Sequence, residues 1–184
     1  MTFPTGAIRN VETARSLEDV AARMRSVFGE EVVTAVHERK GGVRDEVQYY
    51  DLWIAVEKGR LLETVDLLAE FDFPQFHVIS GNDDGDFITL YYHFTIFQAA
   101  GRGKRLGVIA AIQVGKDDLT VDSLFSRLPA VEYSEREIRE MFGVDFIGLP
   151  NKALIFLPED WDEDIKPWRR DETGPADKDV RELS

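Results

Sequence analysis

Of the 184 residues, 35 are acidic and 22 basic, a formal net charge of −13, and 43% are hydrophobic, which is one domain's length with enough apolar side chains for a core. No cysteine is present, which removes disulfides, thiol catalysis and cysteine-held zinc or iron–sulfur clusters, and the acidity opposes nucleic acid and anionic membrane surfaces, both of which reward Lys and Arg. The sequence has neither an 18-residue apolar run nor a charged-then-apolar leader, so no membrane span and no secretory signal are expected.

Residues 1–13 show no period and read as an N-terminal arm. Ser16, with Asp19 three residues on, opens a helix in which Leu17, Val20, Ala21, Met24, Val27 and Phe28 keep the 3.6 period. Gly29 closes it. Alternation predicts strands over 31–38 and 47–56. In the second, Tyr50, Leu52, Ile54 and Val56 share one face, and the other face is also rather apolar, as in a central strand. A helix over 59–70 stops at Asp72-Phe73-Pro74. Strands follow over 76–80, 86–97 and 105–114, separated by the Gly-containing turns 81–85 and 99–103. A short helix capped by Thr120 or Asp122 presents Val121, Leu124, Phe125 and Leu128 and breaks at Pro129.

The next helix has the clearest local signals. Ser134 and Glu137 form the capping box S-x-x-E, and Ile138, Met141 and Phe142 make one narrow apolar stripe. Glu135–Arg139 and Arg136–Glu140 stand one turn apart as ion pairs, and Gly143 ends the helix. Leu154–Leu157 is a brief apolar run. From Pro158 the chain turns acidic and irregular around Trp161, Trp168, Arg169 and Arg170. Little there can pack on itself, so residues 158–184 read as an extended acidic tail, partly disordered when alone, whose tryptophans anchor to a partner. The order α-β-β-α-β-β-β-α-α-tail predicts an α+β fold: an antiparallel sheet with helices packed on one face over residues 14–157, plus the extended C-terminal tail.

Local chemistry points away from catalysis. His37, His77 and His93 all fall on predicted strands, without the spacing of a metal pair. The glycines at 81–85 and 101–103 lack phosphate-loop patterns, and Asp83, Asp84 and Asp86 read as a solvated turn because no glutamate closes a calcium loop. No serine sits in a nucleophile elbow. The acids of the 134–142 helix have basic partners, which keeps them ionised.

The run Glu135-Arg-Glu-Ile-Arg-Glu-Met-Phe-Gly-Val-Asp-Phe-Ile-Gly148 resembles the E-R-E-x-x-[DE]-[ML]-[FY]-G-[IV]-x-F-x-G signature of the 30 kDa subunit family of respiratory complex I. That family also supplies a subunit of energy-converting membrane-bound nickel–iron hydrogenases. Leu157, Pro158, Asp160 and Trp161, with Pro167, Arg169, Arg170 and Asp171, resemble its second motif. One departure stands out. Where the family usually has His-Pro, an acid and arginines after its glycine, this chain has Leu149-Pro150-Asn151-Lys152-Ala153, which leans toward the hydrogenase branch.

The resemblance implies an accessory subunit without a catalytic, cofactor or metal site of its own. It would belong to the peripheral arm of a membrane-bound, ion-translocating oxidoreductase on the cytoplasmic side of the cell membrane. Its partners would be the large catalytic subunit and the small iron–sulfur subunit. Those subunits would hold the iron–sulfur clusters and either a nickel–iron centre or a quinone. Membrane contact would run only through the complex, and no nucleic acid is involved. The expected interface is Glu135, Arg136, Glu137, Arg139, Glu140, Phe142, Trp161, Trp168, Arg169 and Arg170. A complex I host is the alternative to a hydrogenase-type one; a stand-alone adaptor or an acid/base enzyme is the reading from other classes.

Overall fold

The computed structural model describes residues 10–176 and residue 179. Helix α1 (Leu17–Phe28) starts at the expected capping box: the Ser16 hydroxyl accepts from the Asp19 N–H, and the Asp19 carboxylate accepts from the Ser16 N–H. Strands β1 (Val33–Gly41) and β2 (Val47–Ala55) form a hairpin, helix α2 (Leu61–Leu68) follows, and β3 (Gln75–Asp83), β4 (Phe87–Ile96) and β5 (Leu106–Gly115) form a meander.

These five strands make one sheet in the order β1-β2-β5-β4-β3. The α+β class is as expected, but the sheet is mixed rather than wholly antiparallel, because β2 lies parallel to β5, with Leu52 opposite Val108 and Ile54 opposite Ala110. The reason is topological. β2 leaves through α2, and the meander returns its last strand, not its first, to the vacant side of β2. That places β2 and β5 inside the sheet, as the two apolar faces of β2 suggested.

Strict alternation sends Leu52, Ile54, Ile88, Leu90, Tyr92, Phe94, Val108, Ala110 and Ile112 to one face. They are buried there with Val20 and Met24 of α1, Leu61, Val65 and Leu68 of α2, and Ile138 of the third helix. Asp72, buried after α2, accepts from the N–H groups of Val11 and Phe97 and so ties the N-terminal arm to the end of β4.

The expected short helix after Gly115 does not form. Thr120–Asp122 is instead strand β6, which pairs in parallel with β7 (Asp145–Ile147), Val121 lying opposite Phe146. Single 3-10 turns follow at Leu124–Ser126 and Pro129–Val131 and lead into α3 (Glu132–Phe142). Burying Val121 against a distant strand outweighs a helical period that holds for only two turns.

Candidate docking surface

Helix α3 begins two residues before Ser134 and has no side-chain cap, so the predicted capping box is absent; the 3-10 turn at Pro129–Val131 supplies the lead-in. Its end is as expected: Gly143 is left-handed (φ 81°) and its N–H donates to the Arg139 carbonyl. The predicted ion pairs Glu135–Arg139 and Arg136–Glu140 are not made. Both glutamates turn into the protein instead, Glu135 fully buried and Glu140 nearly so.

Glu135 accepts from the Ser123 hydroxyl at 2.5 Å and the Leu124 N–H at 2.8 Å, which ties α3 to the chain just after β6. Burial pushes its carboxyl up to about 7, against the lowering effect of those two bonds. Tyr92 lies close enough that burial, with the Glu135 charge, raises its phenol, and no hydrogen-bond partner meets its hydroxyl among the described residues. Glu135 occupies the apolar stripe itself, in line with Val131, Ile138 and Phe142 at i, i+3, i+4 spacing. An acid on that stripe is the sequence signal that could have revealed an internal role.

Glu140 receives three consecutive backbone N–H groups, from Ile155, Phe156 and Leu157. Arg136 donates to the carbonyls of Ala153 and Leu154, and Arg139 to the carbonyl of Lys152. Acids and bases of α3 therefore read alternate polarities of one irregular segment, 152–157, whose backbone has no sheet partner among the described residues. This is a staple, with ionised groups making the stronger class of hydrogen bond. Lys152 bonds Asp145 at 2.5 Å, and Leu149 is buried where the family signature usually has a histidine.

The chain from Pro158 to Gly174 lies against the domain. The Trp168 N–H donates to the Met141 carbonyl at 3.1 Å, and its ring meets Phe142 edge-on at 5.4 Å between centroids. Arg169 donates to the Phe142 carbonyl. The fixing point is Asp83, expected in a solvated turn but buried at the end of β3. Its carboxylate meets Lys116 at 2.8 Å and the Arg170 N–H at 2.8 Å, while Lys116 and Arg169 both bond Asp171, at 2.6 and 2.5 Å. Burial alone would raise Asp83 and Asp171, yet these cations and N–H groups hold both below the usual carboxylate range.

The ten residues expected at an interface thus separate. Glu135, Glu140 and Phe142 are buried in the chain itself, and Arg169 is almost so. Arg136 and Arg139 bond the chain's own carbonyls; Arg139 also approaches Glu163 at 3.5 Å. The Trp161 ring N–H donates to the Ile165 carbonyl. Glu137, Trp168 and Arg170 remain accessible, and they come together along a groove of about 650 Å³ between β3 and the 167–170 segment. Tyr133, Ile147 and Phe156, not singled out beforehand, are large apolar side chains left 68%, 51% and 63% exposed on α3, β7 and the stapled segment.

A family model described as respiratory-chain NADH dehydrogenase, 30 Kd subunit, matches residues 54–178. The chain is 30% identical over 132 residues to the membrane-bound hydrogenase subunit beta of Pyrococcus furiosus, which covers 71% of this chain and 75% of that one. It is 34% identical over 96 residues to Hydrogenase-4 component G of Escherichia coli (strain K12), covering 51% of this chain and only 17% of the relative, so it spans under a fifth of that protein's length. A chain in the structure of the membrane-bound sulfane sulfur reductase, an archaeal respiratory membrane complex, shares the fold with a TM-score of 0.60 at 19% identity, over 82% of this chain and 81% of that one.

Proposed function

Because the chain belongs to the respiratory-chain NADH dehydrogenase 30 kDa subunit family, we propose that it is an accessory, non-catalytic subunit of a membrane-bound oxidoreductase. In this reading it docks on the large catalytic subunit, beside the small iron–sulfur subunit, on the cytoplasmic side of the membrane. The clusters and the nickel–iron centre belong to those partners. The observation that carries the reading is the division of labour around α3. Its charged residues bind the chain's own backbone over 152–157, while Phe156 stands exposed on that bound segment and Tyr133, Ile147 and Trp168 stand exposed on α3, on β7 and beside Phe142. Large apolar side chains held out on ordered backbone suit a surface made for a protein partner. Among the described residues no helix is long and apolar enough to cross a membrane, so attachment would run through the partners.

A hydrogenase-type host is favoured by the likeness to membrane-bound hydrogenase subunit beta and Hydrogenase-4 component G, and by Leu149, which fills an apolar site where the signature usually has a histidine. The test is purification of the tagged chain from native membranes, with mass spectrometry of what accompanies it. A large subunit of nickel–iron type is the expected companion. A quinone-site large subunit would assign it to complex I instead, and a partnerless monomer with turnover of its own would overturn the proposal.

A further inference from the structure

The two edges of the sheet are built differently. The outer edge of β1 carries Glu38, Arg39 and Lys40, the charges that keep another strand from pairing with it. The outer edge of β3 has no charged residue from Gln75 to Asn82. The Asp84 N–H bonds the Phe87 carbonyl at the hairpin. Alternation from that pair turns Asn82, Ser80 and Val78 toward β4 and leaves the N–H and C=O groups of Ile79 and Gly81 pointing outward. None of these outward groups meets a partner among the described residues.

The β3 edge is also the floor of the groove whose far wall is Phe142 and Trp168. At its end stands Arg170, which is exposed, bonds only the Asp83 carbonyl and the Asn82 amide oxygen by its side chain, each at 3.4 Å, and makes no ion pair among the described residues. In a chain of net charge −13 a cation without a carboxylate marks where an acidic group can come from outside.

We propose that an extended segment of the large partner subunit adds to β3 as a sixth strand. Its backbone pairs with Ile79 and Gly81, an apolar side chain lies against Trp168, and a carboxylate meets Arg170. Backbone pairing gives such strand addition its affinity, and the side-chain contacts give it register. This rests on the docking reading above and adds the mode and place of contact.

Hydrogen exchange on the purified complex and on the isolated full-length chain tests it. The Ile79 and Gly81 amides should exchange rapidly in the isolated chain and at least about tenfold more slowly in the complex, with the β1 edge unchanged. Arg170→Gln, which removes the charge but keeps an amide donor for the Asp83 carbonyl and the Asn82 amide oxygen, should leave the melting temperature close to the parent's and raise the Kd for the purified large subunit about tenfold. If the complex forms and only the Trp168 region gains protection, strand addition is wrong while docking stands. An isolated chain that dimerises with Ile79 and Gly81 already protected would make a second copy the occupant and overturn the proposal. If no large subunit accompanies the chain, the docking reading fails and this inference with it. An unchanged Kd for Arg170→Gln would overturn the acidic contact.

Discussion

Phe142 lies directly over Gly81: a Cβ on that glycine would stand 2.7 Å from the aromatic ring. The contact seats α3 on β3 and, through Trp168, which meets the same ring edge-on, bears on the position of the C-terminal segment. Gly81→Ala must therefore displace the ring. It should cost about 1–3 kcal/mol, as overpacking does, and lower the urea midpoint with an unchanged slope. An alanine variant as stable as the parent would mean that the ring moves without consequence.

Among the described residues Glu140 is the sole acceptor for three N–H groups in succession. Glu140→Ala should free the segment beyond Lys152 while leaving the sheet folded, since each lost charged bond is worth about 1.5–3 kcal/mol and none belongs to the sheet. Limited proteolysis should then cut within 152–176 well before the rest of the domain. Glu140→Gln keeps one acceptor oxygen and should fall between. Cleavage distributed over the whole chain would show instead that the staple supports global stability.

The Glu135 carboxyl, pushed up to about 7 by burial, is protonated in the folded protein where the unfolded chain, near 4.5, is ionised. Between those values the folded state holds the extra proton, so stability falls as pH rises from about 4.5 to 7 and levels off above, an effect of about 3 kcal/mol in all. His93, lowered by burial, has the opposite slope below pH 6.5. The comparison is therefore Glu135→Gln against the parent. The variant should gain relative stability steadily across that window, and parallel pH curves would mean that Glu135 is ionised throughout.

The two C-terminal tryptophans should separate in assembly. Trp168 is 44% exposed over Phe142, whereas the Trp161 ring bonds its own chain at Ile165. Trp168→Ala should weaken affinity for the large subunit by about 2 kcal/mol, as an exposed aromatic anchor does, with Trp161→Ala acting mainly through the local fold. Equal losses of affinity in calorimetric titration would contradict that division.

Features set by near neighbours were legible in the sequence. The Ser16–Asp19 box, the alternation of β4 and β5 and the glycine stop at 143 each depend on residues a few places apart. One local reading failed, the Ser134–Glu137 box, because the 3-10 turn at Pro129–Val131 starts α3 two residues earlier; the other failures depended on distant partners. Val121 joins a strand only because Phe146 lies beside it, and Asp83 leaves solvent only because Lys116, Arg170 and Asp171 arrive from 33 to 88 positions away. Glu135 and Glu140 looked self-paired because their true partners are backbone N–H groups and, for Glu135, also the Ser123 hydroxyl, none of which the spacing within α3 marks. The signature residues were found, and the one local mark of an inward role was the place of Glu135 on the apolar stripe of α3; Glu140 carried none.

The parallel seam between β2 and β5 has a kinetic consequence. On one side stands a hairpin, on the other a three-strand meander, and each forms from contacts close in sequence. The seam joins Tyr50–Ala55 to Leu106–Ala111 across a long loop, whose closure entropy must be met before any contact repays it. The two halves should thus be structured first and the seam last. Truncations along it, such as Ile54→Val, would then speed unfolding and barely slow folding. A chevron in which the folding arm carries most of the change would place the seam in the nucleus instead.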